Sequence, residues 1–320
     1  MTIMINRNNF LSIYNQCDLC PRDCKVDRNI HQGFCSETSK LSVATVLLHH
    51  GEEPPITFEN GSGTVFFSGC SLRCPYCQNM QISQPMQNEW MELNKFTLAE
   101  FVKLLENLVQ KGAENINFVT PDHFLPHILE AVKALKQNGC QIPFVYNCSG
   151  YINRKYLALL CEHIDIFLID YKYSDKNLAG LLSQTPDYPE ITLQALQYIY
   201  KQKGNLHLDK KGKAVKGMLI RHLVLPGFIS NSLIVLKSLY ENFGREIFFS
   251  LMAQYTQKFL KSNLPVELKT LNRRLTNAEY EKVLNYVYEK DFINGYVQEI
   301  PDQKDHYVPD FSEKQLFDKW

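Results

Sequence analysis

From Gly63 onward the chain alternates short apolar runs with longer stretches of helical character. The runs are Thr64–Phe67, Ile116–Val119, Pro143–Tyr146, Ile164–Ile169, Met218–Val224 and Ile247–Leu251. Strands alternating with helical segments predict βα units and a parallel sheet. Thr97-Leu-Ala-Glu100 is a capping box, opening a helix that Gly112 closes. A second helix is predicted from about Leu125 to Asn138, stopping at Gly139, and a third from Tyr188 to Lys203. Asn153 and Asn231 read as N-caps of two more. Thr276-Asn-Ala-Glu279 is another capping box, before the last long helix. The polar stretch from Lys203 to Gly217 is expected to be an exposed loop or hairpin.

Six such units predict an α/β fold of the partial (βα)6 TIM-type barrel class rather than the closed eight-fold form. Periodicity leaves an open doubly wound sheet as the alternative. Residues 1–60 read as a loop-rich, cysteine-rich metal-binding segment, 61–290 as the barrel, and 291–320, with Pro301 and Pro309, as an irregular lid or docking tail. No repeat of fixed period and no low-complexity tract interrupts this order.

Composition narrows the class. Lys+Arg and Asp+Glu each total 34, so charge gives no argument for nucleic acid or a membrane surface. No apolar stretch approaches the ~18 residues of a spanning helix. The start, Met-Thr-Ile-Met-Ile-Asn-Arg-Asn-Asn, lacks a basic region followed by an apolar one, so a secretory signal is not expected. The expected location is cytoplasmic, where ten cysteines stay reduced and available to metals. Seven of them form two tight groups; Cys140, Cys148 and Cys161 lie scattered among apolar neighbours and read as small buried hydrophobes.

The first group in importance is Cys70-Ser-Leu-Arg-Cys74-Pro-Tyr-Cys77, directly after a predicted strand. Four-iron clusters normally take four thiolates. Three on one loop, with no fourth close behind, leave one iron open, which distinguishes a catalytic site from a closed structural one. The second group, Cys17, Cys20, Cys24 and Cys35, offers four soft thiolates within 19 residues, suited to zinc or an iron–sulfur cluster. Such a set would staple a segment with little core of its own, or relay electrons if it lay near the first group.

In parallel α/β folds ligands gather at the carboxyl ends of strands. Those ends carry Ser68 and the cysteine loop, Thr120-Pro-Asp122-His123, Asn147-Cys-Ser-Gly150-Tyr151, Asp170-Tyr-Lys172, Arg221-His222 and Gln254-Tyr255. Taken alone, Asp170 and Lys172 read equally as a strand-end salt bridge. His49, His50 and His123 read first as structural or surface histidines, and Lys210-Lys-Gly-Lys213 as a solvated loop.

The ordered series Phe-Phe-Ser-Gly-Cys-x3-Cys-x2-Cys-Gln-Asn, Asn-Ile-Asn-Phe-Val-Thr-Pro-x-His, Val-Tyr-Asn, Asp-x-Lys-Tyr, Ile-Arg-His-Leu-Val-Leu-Pro-Gly and Met-x-Gln-Tyr resembles one family. It is the group of radical S-adenosylmethionine (SAM) proteins similar to pyruvate formate-lyase activating enzyme that carry an N-terminal Cys-x-Leu-Cys-Pro-Arg-x-Cys segment. The resemblance implies that Cys70, Cys74 and Cys77 hold a 4Fe-4S cluster whose open iron chelates SAM. It places Tyr76 near the adenine and Asp170 and Lys172 near the SAM carboxylate and a cation. Asn147 stands where those enzymes carry Asp, and Arg221 is a candidate for the SAM carboxylate or the substrate. The family's Gly-Gly-Glu contact to the SAM amino group is absent, and Thr120 with its neighbours occupies that place. The extra ferredoxin-type clusters of many activases are also missing after Cys77.

The implied activity is reductive cleavage of SAM to a 5′-deoxyadenosyl radical that abstracts a hydrogen atom. By resemblance the protein partner is a glycyl-radical enzyme and the reductant a flavodoxin or ferredoxin. The alternatives are radical modification of a peptide or small molecule, and a non-catalytic iron–sulfur electron-transfer or scaffold protein.

Overall fold

The computed structural model describes residues 9–84, 95–260, 264–300 and 308–313. The chain enters the sheet as β1 (Leu41–His49), turns through the short helix α1 (Pro54–Thr57) and returns antiparallel as β2 (Ser62–Phe67). The cysteine loop leads into α2 (Met80–Ser83); β3 (Lys95–Phe96) then pairs with β1, and α3 (Leu98–Gln110) follows. Next come β4 (Ile116–Val119), α4 (Leu125–Gln137), β5 (Phe144–Cys148), α5 (Leu157–His163) and β6 (Ile166–Asp170). Helices α6 (Lys176–Ser183) and α7 (Tyr188–Lys203) precede a hairpin of β7 (His207–Leu208) with β8 (Ala214–Leu223). The order closes with α8 (Ile229–Phe243), β9 (Phe249–Met252), α9 (Asn277–Glu289) and β10 (Gly295–Val297).

In space the strands run β10-β9-β8-β6-β5-β4-β2-β1-β3, with β7 on β8. Every pairing from β10 to β2 is parallel. The two ends do not meet, so the molecule is an α/β fold with an open, partial TIM-type barrel. β2, β4 and β5 are buried along their whole length, as strands covered on both faces must be. The predicted capping boxes are formed: Thr97 Oγ1 accepts from Glu100 N, and Thr276 Oγ1 from Glu279 N, each at 3.3 Å, and the glutamates reach back.

Three elements differ from the sequence expectation. The stretch before residue 60 is not all loop: β1 pairs along the edge of β2, satisfying backbone groups that an exposed edge would leave open. Ile56 of α1 packs on Val145, Ile166, Leu168 and Leu219, which ties this segment into the barrel interior. Asn231 is not an N-cap but a residue inside α8; its amide donates to Lys172 O at 2.9 Å and accepts from Ser174 N at 3.0 Å. The tail is not wholly irregular, since β10 extends the sheet beside β9. Pro301 lies outside the described residues, as does the stretch read for a signal, residues 1–8. Cys148 is buried, whereas Cys140 and Cys161 are only partly so.

Candidate active site

Gly69 ends the first barrel strand in a left-handed conformation, φ +80°. A Cβ there would sit 2.5 Å from Cys35 O and 2.6 Å from Glu37 Cγ, so only glycine lets the chain turn into the cysteine loop this close to the N-terminal segment. Arg73 then clamps the loop, donating to Cys70 O at 2.7 Å and to Phe34 O. Cys70, Cys74 and Cys77 all open onto one cavity of about 660 Å³. Each sulfur has a donor nearby: Leu72 N at 3.4 Å from Cys70, Ser183 Oγ at 2.9 Å from Cys74, and Ser83 Oγ at 3.3 Å from Cys77.

Burial pushes the Cys70 and Cys77 thiols up, and the neighbouring cysteines push them further. Deprotonating them together therefore requires a cationic partner, which bound iron supplies. Among the described residues no three His, Cys, Asp or Glu side chains are spaced to hold a single metal ion. A four-iron cluster asks for something different, one thiolate on each ligated iron. Three unpaired thiols on one loop, each with a hydrogen-bond donor, fit that demand.

Across the cavity lies a buried ion network. Arg221 donates through Nε to Asp170 at 2.8 Å, through one terminal nitrogen to Glu52 at 3.1 Å, and through the other to Asn147 at 2.6 Å. Lys172 Nζ bonds the second Asp170 oxygen at 2.7 Å. Burial alone would raise the Asp170 carboxyl, but Arg221 and Lys172 outweigh it and hold it at about 2. Glu52 also accepts from Asn117 at 2.9 Å and Asn147 at 3.1 Å, yet its deeper burial holds its carboxyl above the usual range. One guanidinium shared between two carboxylates does not neutralise both. The structure thus gathers Asn147, Asp170, Lys172 and Arg221 into one constellation and adds Glu52, which the sequence reading passed over.

Thr120 lines the same cavity with φ +57°, a rare conformation for a β-branched residue, and donates its N–H to Asn147 O at 2.9 Å. Tyr76 is buried at the cavity wall, its hydroxyl hydrogen-bonded to that of Tyr173. His123 is a structural residue: buried, 2.6 Å from Ser68 O, with burial lowering its pKa to about 3.

The four N-terminal cysteines lie under the cysteine loop rather than apart from it. Cys17, Cys20 and Cys35 are buried, and Cys24 is partly so. Fully buried Arg28 binds Glu37 O, Thr38 O and His123 O, and its charge opposes the rise that burial imposes on Cys17 and Cys35. Cys35 O accepts from Cys70 N at 3.3 Å, so the two cysteine groups share a backbone contact.

With that geometry in place, comparison with known proteins is decisive at the level of the domain. Residues 64–208 match the radical SAM superfamily. Those residues are a radical SAM domain. The superfamily implies a four-iron cluster and SAM as cofactors. An uncharacterized protein of Methanocaldococcus jannaschii is 29% identical over 292 residues, spanning 88% of this chain and 78% of that protein. Among solved structures, SuiB of Streptococcus suis bound to S-adenosylmethionine aligns with TM-score 0.48 at 14% identity, covering 72% of this chain. This chain spans only 48% of SuiB. A domain of pyruvate-formate lyase-activating enzyme from Bacteroides vulgatus aligns with TM-score 0.37 at 12% identity, covering 54% of this chain and 89% of that one. Among the described residues, no helix is long and apolar enough to cross a membrane.

Proposed function

We propose that this radical SAM protein cleaves SAM reductively and removes a hydrogen atom from a second reactant, in the manner of an activating enzyme. The observation that carries the reading is the single cavity onto which Cys70, Cys74 and Cys77 open from one side and Asn147, Asp170, Lys172 and Arg221 from the other. A cluster and SAM bound there would supply one-electron cleavage of the sulfonium to methionine and a 5′-deoxyadenosyl radical. The loop thiols would hold the cluster, with the donors at Ser183, Ser83 and Leu72 N tuning them. Lys172, whose ammonium among the described residues bonds Asp170, can turn to a carboxylate, while Arg221 holds Asp170 ionised to receive a hydroxyl or ammonium. Tyr76 closes the wall beside the loop and helps exclude water.

The favoured reactant is the glycine Cα of a glycyl-radical enzyme, with a flavodoxin or ferredoxin as electron donor and the cytoplasm as location. The motif resemblance supports this choice, and ten cysteines without a disulfide suit a reducing compartment. The N-terminal cysteines are proposed to bind a second metal centre, iron–sulfur rather than zinc, because among the described residues no set is spaced for a single ion. The test is anaerobic reconstitution with SAM and dithionite, assaying 5′-deoxyadenosine. Product from the wild type that vanishes in Cys74→Ala is expected. No product from a protein holding a reducible four-iron cluster would move the assignment to electron transfer.

A further inference from the structure

The segment after β1 delivers two adjacent glutamates into the barrel, and only Glu52 has both carboxylate oxygens matched. Glu52 is held by Arg221, Asn117 and Asn147. Glu53 is 8% exposed and lines the same cavity, yet its Oε2 has no hydrogen-bond partner. Burial pushes its carboxyl up, and although Arg221 pulls it down, adjacent Glu52 pushes it up again. Ser250 and its own backbone amide are the neutral groups near it. Among the described residues, the lysine and arginine side chains that line this cavity are Lys172 and Arg221, and both are engaged by Asp170. Three carboxylates, Glu52, Glu53 and Asp170, thus face two cationic side chains. His49 adds no charge, because burial lowers its pKa to about 4.

A buried carboxyl with one oxygen left unpartnered on a cavity wall is a costly arrangement unless something that enters the cavity completes it. We propose that Glu53 receives a cationic group, an ammonium or guanidinium, carried by the second reactant of the radical reaction. The position supports that choice over the SAM amino group. β1 runs antiparallel to β2, so the Glu52–Glu53 turn enters from the end of the barrel where β2 begins, while the cysteine loop leaves from the end where β2 finishes. By the family resemblance, the amino group of SAM would be held on the cysteine side. Glu53 is therefore a specificity residue for the opposite side, selecting a free amine or a Lys or Arg side chain of a peptide. This inference rests on the proposed radical SAM function for the name of the reactant, but cation binding is measurable without turnover.

The experiment is calorimetry on the cluster-reconstituted protein near pH 7, with n-butylammonium, methylguanidinium and the neutral isostere 1-butanol as probes. The cations are expected to bind with release of up to one proton from Glu53, read from the buffer dependence of the heat, and 1-butanol is not. Glu53→Gln is expected to weaken the cations at least tenfold while moving SAM affinity less than threefold. Equal binding of 1-butanol and the cations by the wild type overturns the proposal, whatever the stability of the variant. So does unchanged cation binding in E53Q, or a tenfold loss of SAM, which would assign Glu53 to the cofactor. A lysine-bearing tetrapeptide beside its norleucine analogue separates a peptide source from a free amine. Failure of the radical chemistry itself reads out separately, as absent 5′-deoxyadenosine in a wild type that still binds the cations.

Discussion

At the scale of single residues, the site is organised by charge that has been removed from water. Arg221 is the hub: truncating it leaves Asp170 and Glu52 buried without their shared partner. Arg221→Ala is expected to cost on the order of 3–5 kcal/mol, read as a fall in the urea midpoint. Arg221→Lys should recover only part of that, because an ammonium cannot make the three-way fork. Thr120 is different. Its left-handed backbone costs roughly 1–2 kcal/mol in an L-residue, and glycine returns about 0.5–1 through unfolded-state entropy. Thr120→Gly is therefore expected to leave the melting temperature level or raise it slightly, whereas a relaxed Thr120 would show a clear loss.

Asp122 gives a pH signature. Burial raises its carboxyl to about 7, against a hydrogen bond from Tyr146 at 3.0 Å. In the unfolded chain it titrates near 3.9. Between these values the folded state binds the extra proton, so this residue's contribution to stability is present at low pH and is lost as pH rises toward 7. The loss runs to about 1.4 kcal/mol per unit inside the window. Asp122→Asn, which keeps an acceptor for Tyr146, should flatten that slope in urea titrations between pH 5 and 7.5. An identical slope in the variant would show that Asp122 is ionised in the fold.

At the scale of elements, the cysteine loop depends on one backbone turn and one neighbouring segment. Gly69→Ala places a Cβ against Cys35 O in a conformation that already disfavours a side chain. We expect bound iron after reconstitution to fall by more than half, with the far-UV spectrum kept. The two capping boxes and the parallel sheet were legible because cap chemistry is local and strand runs are short and apolar. β1 was not legible. Leu41–His49 shows no clean alternation, since it is buried at both ends and half-covered between, a pattern that packing against β2 sets. Asn231 failed for a related reason: an asparagine near a helix start is a cap only if the backbone turns there, and its amide had better partners at Lys172 and Ser174.

At the scale of the whole molecule, the N-terminal segment is packed into the barrel rather than appended to it. It supplies Cys35 beneath the cysteine loop and Glu52 and Glu53 to the cavity. Loss of one ligand from the second cysteine group should then be felt beyond it. Cys20→Ser is expected to lower metal content and to cost on the order of 4 kcal/mol, as loss of a structural metal does. Metal analysis with thermal melting checks this, and a variant of wild-type stability would show that no metal staples the segment.

The sequence by itself determined the spacing of the cysteine loop, the strand-end positions of Asn147, Asp170, Lys172 and Arg221, and the order of βα units. Each of these is encoded in contiguous residues whose spacing is set by local geometry. Only the tertiary structure decided that Arg221 is committed to two carboxylates, that Glu52 and Glu53 reach across from β1, and that the two cysteine groups touch. Those are contacts between segments more than thirty residues apart, and such contacts follow from how the open sheet curves, which no local pattern of residues records.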